Sequence, residues 1–181
     1  MRYRRNITLK NGKACLLRTA DGNDAQAMLD SFNLTHAQTD FLRTYPDENT
    51  ISVEDERRYL NEKAESAREI EICAVVDGKI VGSAGIECVG DRRKTRHRAE
   101  LGISVERDFW GLGIGRALTC ACIECARQAG YVQLELDVLA ENARAYALYG
   151  SLGFTEYGRN PKGFRSDTGA WQEVVLMLLE L

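Results

Sequence analysis

The stretch WGLGIG, residues 110–115, places glycines at 111, 113 and 115 directly before the helix-like run RALTCACIECA. A glycine-rich turn at a helix start gathers free backbone N–H groups and the positive end of the helix dipole, so the chemistry it suits is anion binding. Spacing tests two nucleotide loops. The dinucleotide fingerprint G-x-G-x-x-G requires a third glycine where Arg116 stands, although Glu135 and Asp137 fall near the place of an acidic ribose ligand. A Walker A loop requires a lysine after its last glycine, and none follows here. What remains is another phosphate ligand, or glycines that serve only a tight turn and close packing.

Elements around the loop must position it. Residues 7–20 place Asn11-Gly12 between two apolar runs and predict a hairpin. Asp21 to Ala37 carries Ala25, Met28, Leu29 and Phe32 at helical spacing with Asp24 as cap, and Ser52 with Asp55 resembles a capping box for a second, largely exposed helix. Residues 71–89 form a hairpin turning at Asp77-Gly78, and 99–105 a strand. The glycines open a helix to about Gln128, a strand spans 131–140, a helix runs from Ala143 to Leu152, and FTEY and WQEVVLMLLEL close the chain as strands. That order predicts a mixed α/β sheet in a single domain, residues 1–181.

Composition narrows the partners. A net charge of −3 over 181 residues gives no global reason to expect nucleic acid or a membrane. The basic start MRYRRNITLK precedes no apolar run of signal-peptide length, and no stretch approaches the ~20 apolar residues of a membrane span, so a cytoplasmic protein is expected. The six cysteines lie in scattered apolar contexts and read as free thiols. Cys120, Cys122 and Cys125 point to different sides of a helix with no histidine nearby, so no metal is expected.

Downstream of the loop stands NARAYALYGSLGF, residues 142–154. Together with ELGISV and WGLGIG it resembles the GNAT superfamily of acetyl-CoA-dependent N-acetyltransferases, whose loop reads [Q/R]-x-x-G-x-[G/A] and whose later helix often reads N-x-x-A-x-x-L-Y-x-x-x-G-F. The match is specific over residues 99–154. Trp110 departs from it, standing where the family usually has Arg or Gln, and reads as a packing residue. The resemblance implies a central, mostly antiparallel sheet with a V-shaped splay between two parallel strands, flanked by about four helices. It implies acetyl-CoA as co-substrate, its pyrophosphate on the amides of Gly111, Leu112, Gly113, Ile114, Gly115 and Arg116. The pantetheine arm would pair like an added strand with Ile103, Ser104 and Val105, and the Asn142 amide would contact the cofactor. Gly102 would mark a bulge in that strand or serve plain packing.

Tyr149 lies two helical turns after Asn142 and shares its face. It is the expected general acid for the departing thiolate. The attacking amine must first lose a proton, and Glu100, on the strand leading to the acetyl group, is the candidate base, with a water chain as the substitute. Cys73 and Cys88 are minor candidates for an acyl-carrying nucleophile. The basic run DRRKTRHR, residues 91–98, reads as a solvated hairpin loop. Asp40, Asp47, Glu48, Glu54, Asp55 and Glu56 gather on the early helices that form the acceptor side in this family. The acceptor is expected to be an amine, on a small molecule or a peptide, and family members are often homodimers. A CoA-binding regulatory module and a dinucleotide-binding oxidoreductase are the rival readings.

Overall fold

In the computed structural model, which describes residues 1–181, one sheet of eight strands is ordered β1-β2-β3-β4-β5-β6-β8-β7. The strands are β1 Arg4–Thr8, β2 Ala14–Thr19, β3 Ile70–Val76, β4 Lys79–Cys88, β5 Arg98–Val105, β6 Gln133–Leu139, β7 Thr155–Arg165 and β8 Trp171–Glu180. The helices are α1 Ala25–Ala37, α2 Val53–Glu65, α3 Ile114–Gln128 and α4 Ala143–Gly150. Only β5 and β6 run parallel.

That parallel pair opens the sheet. β5 and β6 are joined only by Arg98↔Gln133, Ala99↔Leu134 and Glu100↔Glu135. Beyond these, β5 stays with β4 as far as Val105 and β6 stays with β8 as far as Leu139, so the two halves of the sheet diverge. The expected V-shaped splay therefore begins after Glu100. No bulge at Gly102 produces it, because β4 and β5 pair without a register shift from Gly82↔Val105 to Cys88↔Ala99. Nor is Gly102 a packing glycine, since a Cβ there would meet nothing within 4 Å. With regular pleating, Ala99 and Leu101 point into the core while Glu100, Gly102 and Ser104 line the opposite face.

α3 covers one face of β3, β4 and β5 through Ile114, Leu118, Ala121, Cys122 and Cys125, all buried in the main core with Leu17, Ile72, Ile86, Leu134 and Met177. On the other face, α1 and α2 enclose a smaller cluster of Ala20, Ala25, Met28, Leu60, Cys73 and Ile80. All six cysteines are free thiols. No helix is long and apolar enough to cross a membrane.

Of three local expectations, two shift and one holds. Asp24 does not cap α1; its carboxylate accepts from the Asp21 backbone N–H in a capping box one turn earlier and pairs with Arg18 at 2.7 Å. Ser52 does cap α2, accepting from the Asp55 N–H at 3.1 Å. β7 extends well past FTEY to Arg165, with Pro161 tolerated because this edge strand breaks register between Asn160 and Phe164. Its side chains are mostly exposed, so no apolar alternation announces it.

Candidate active site

The glycine loop has the geometry of an anion cradle. Gly111 and Gly113 adopt φ of 78° and 105°, in the left-handed region open to glycine, and Gly113 starts α3 with no side-chain cap. The first intrahelical bond runs from the Ala117 N–H to the Gly113 carbonyl, which leaves the amides of Ile114, Gly115 and Arg116 without helical acceptors. The Lys10 N–H fastens the loop by donating to the Leu112 carbonyl at 3.1 Å. Packing does not explain the glycines, for a Cβ at 111 or 113 would meet nothing within 4 Å. Gly113→Ala is expected to lower stability by ~1–2 kcal/mol through its positive φ, whereas Gly102→Ala changes it by less than about 0.5 kcal/mol, both read from urea unfolding.

Trp110 closes the loop's other end. Its Nε1–H donates to the Val105 carbonyl at 2.6 Å, so that carbonyl is already engaged, while β5 from Leu101 to Val105 has no strand on its β6 side. This open edge is where an extended, amide-bearing chain could pair. Ile103, Ser104, Val105, Asn142 and Tyr149 all line one cavity with Gly111, Gly113, Gly115 and Arg116, whose volume is about 650 Å³.

Asn142 caps α4, its side-chain oxygen accepting from the Ala145 N–H at 3.2 Å. Its side-chain amide nitrogen takes no part in that cap, and the residue lines the cavity. Tyr149 is 7% exposed, with its ring tilted against Phe154 at a centroid distance of 5.8 Å. Its hydroxyl has no hydrogen-bond partner within the protein, and burial pushes its pKa up to about 12.

The carboxylates are arranged differently from the expectation. Glu100 does line the cavity, but at its mouth, with a side chain 45% exposed and paired with Arg43 at 2.8 Å. Arg43, from the segment between α1 and α2, also reaches Asp137 of β6 at 3.3 Å and so bridges the two diverging strands. Burial, with the nearby charges of Glu100 and Glu135, raises Asp137 against the pull of Arg43.

The deeper carboxyl belongs to Glu71 of β3, which faces the cavity across from Gly85. A Cβ at 85 would fall 2.1 Å from Glu71 Oε2, so this glycine vacates the space that the carboxylate fills. Burial is the main cause that pushes the Glu71 carboxyl up to about 7; the hydrogen bond from Ser83 pulls it down, and the charges of Glu56 and Glu87 add to the rise. Tyr59 stands nearby, donating to Glu87 at 3.0 Å. Phe32, His36, Phe41 and Phe164 complete the aromatic lining on this side.

Of the acidic residues on the early helices, only Glu56 bears on Glu71; Asp40, Asp47, Glu48, Glu54 and Asp55 do not line the cavity. The strands supply its carboxylates instead. The basic loop 91–98 lies outside it. Cys73 lies outside the cavity, its buried thiol pushed up to about 12, and Cys88 bonds the Gly90 carbonyl at 3.1 Å, so neither is poised as a nucleophile. Sequence reading missed Glu71, whose signal was a glutamate in an apolar strand facing a glycine across the Asp77-Gly78 hairpin.

A sequence model of the Acetyltransferase (GNAT) family matches residues 34–154, and the chain belongs to this family. An acetyltransferase of the GNAT family from Streptococcus pneumoniae superposes with a TM-score of 0.89 at 30% identity, covering 92% of this chain and 99% of that one. The [ribosomal protein bS18]-alanine N-acetyltransferase of Escherichia coli is 35% identical over 79 residues, 44% of this chain and 53% of that enzyme. The chain thus spans about half or less of the curated relatives it matches. The yncA protein of Salmonella typhimurium, solved with its cofactor acetyl-CoA, shares the fold with a TM-score of 0.80 at 23% identity over 91% of this chain and 92% of that one.

Proposed function

We propose that this chain moves the acetyl group of acetyl-CoA directly to a primary amine in a ternary complex. The observation that carries the reading is a single cavity that runs from Gly115 and Arg116, whose amides lack helical acceptors, past the open edge of β5, to Tyr149 and Glu71. Each part answers one need of the reaction. The amides and the α3 dipole suit a diphosphate, the β5 edge suits the amide-bearing arm, and an N–H of that edge polarises the thioester carbonyl.

The chemistry then balances without a covalent intermediate. An incoming ammonium gives one proton to Glu71, directly or through a water, because a carboxyl near 7 is half-ionised at neutral pH and can still accept. The neutral amine attacks the carbonyl carbon, the C–S bond breaks, and Tyr149 protonates the leaving thiolate. The phenolate recovers the second proton that nitrogen sheds as the amide forms. Glu100, tied to Arg43, acts at the acceptor mouth, where carboxylates favour a cationic guest.

The relative from Escherichia coli is named for acting on an alanine of a ribosomal protein. A peptide N-terminus therefore joins small amines among the acceptors to be screened, with release of free thiol as the readout. Binding is tested more simply. Acetyl-CoA at 100 times its Kd is expected to stabilise the fold by ~2.7 kcal/mol, a rise in Tm of roughly 5–10 °C. NAD is expected to give no shift; a shift with NAD and none with acetyl-CoA would overturn the proposal in favour of a dinucleotide enzyme.

A further inference from the structure

The carboxylates of the cavity gather on one side, with Arg43 paired among them. Glu71, Glu87, Glu100 and Asp137 line the acceptor side, while Lys10, Arg116 and Arg144 line the side of the glycine loop, where no carboxylate is found. Arg116 is committed to Ser151, donating to its Oγ at 2.5 Å. Arg144 is not committed to any acceptor. Its guanidinium lies 3.9 Å from the centroid of the Trp110 ring, and it has no ion pair or hydrogen bond within the protein. Burial alone lowers its pKa, with no opposing charge to offset the cost.

Trp110 is the one departure of this loop from the family's pattern, occupying the place of Arg or Gln. The substitution removes a polar or cationic side chain from the loop, but it does not leave the site without one. The indole is fixed in orientation by its bond to the Val105 carbonyl at 2.6 Å, and so offers a flat face on which a guanidinium can rest. Arg144 comes from α4, on the far side of the splay, and reaches across to that face. An arginine held on an aromatic ring without a carboxylate keeps its N–H donors available for an anion.

We propose that Arg144, presented by Trp110, is a phosphate-reading cation of the cofactor cleft. The amides of α3 would grip the cofactor from the β5 side and Arg144 from the β6 side, so a phosphate group ties the two halves of the splayed sheet together. This inference rests on acetyl-CoA being the donor.

Three acetyl donors separate the possibilities: acetyl-CoA, acetyl-dephospho-CoA, which lacks the 3′-phosphate, and S-acetylpantetheine, which has no phosphate. Arg144→Gln is expected to raise the KM for acetyl-CoA by ~10-fold with kcat within about twofold, the loss of one charge-assisted contact. With S-acetylpantetheine its kcat/KM should equal that of the unaltered protein. Persistence of the penalty with acetyl-dephospho-CoA assigns Arg144 to the diphosphate, and its disappearance assigns it to the 3′-phosphate; either supports the inference. Adding Trp110→Arg to Arg144→Gln should recover most of the lost affinity by returning a cation to the loop. The inference is overturned if Arg144→Gln leaves the acetyl-CoA KM unchanged, if S-acetylpantetheine suffers equally, or if the double variant recovers nothing. Failure of acetyl-CoA to shift the Tm of the unaltered protein would instead remove the donor reading beneath it.

Discussion

Glu71→Gln is expected to lower kcat/KM for the amine acceptor by ~10²-fold or more at neutral pH, within the range that a positioned general base supplies. Glu100→Gln, by contrast, is expected to change kcat by less than about threefold, because Glu100 is half-exposed and held by Arg43. The pH profile provides the sharper check. With its carboxyl near 7, Glu71 must be ionised to accept a proton, so kcat/KM should rise through about pH 7 and the Gln variant should lose that limb. A retained limb in Glu71→Gln that vanishes in Glu100→Gln would reverse the assignment.

The same carboxyl leaves a mark on stability, and its sign is fixed. The folded pKa, near 7, lies above the ordinary glutamate value of 4.5, so between these values the folded state holds more protons than the unfolded chain. Stability therefore falls as pH rises from 4.5 to 7, by a maximum on the order of 3 kcal/mol, and stays lower above it. Glu71→Gln should flatten that part of the stability curve and melt higher at pH 8 than the unaltered protein. An enclosed, charge-averse carboxylate that costs stability and faces a substrate cavity is the pattern expected of a group retained for chemistry.

The sequence made the cofactor half legible and left the acceptor half obscure, for a physical reason. Gly111 and Gly113 are demanded by backbone conformation, and Asn142 by a helix cap, so each announces itself by residue type at a fixed spacing. The splay was implied by family resemblance alone: what creates it is the parting of β5 and β6 after three residue pairs, and no single residue encodes that. Gly102 was legible as special but not as what it is, an open position in an unbroken strand. Glu71, Glu87 and Asp137 reach the cavity together only because the β3–β4 hairpin and β6, distant from it in sequence, present them on one face. The role of Glu71 depends on Gly85 opposite it, a pairing across the β3–β4 hairpin whose register slips at Ala74/Val75 and so could not be counted from the turn.

Tyr149→Phe separates chemistry from architecture more cleanly than any other change. The hydroxyl has no partner within the protein, and the ring keeps its place against Phe154, so the variant should unfold within about 0.5–1 kcal/mol of the parent. Its kcat should nonetheless fall by ~10²-fold, with the KM for acetyl-CoA little changed, the behaviour of a group that acts only as the C–S bond breaks. A pKa near 12 makes the phenol a weak acid, but it also keeps the proton in place across the working range: no loss of activity from its ionisation is expected below about pH 10. Donation must then come from contact with the thiolate rather than from acidity. This gives the decisive control, because a donor whose thiol is more acidic than that of CoA, such as an acetyl thioester of an aromatic thiol, leaves without help. If Tyr149 is the acid, the deficit of Tyr149→Phe should shrink severalfold with that donor, whereas a Tyr149 that merely shapes the cavity would leave the deficit the same for both.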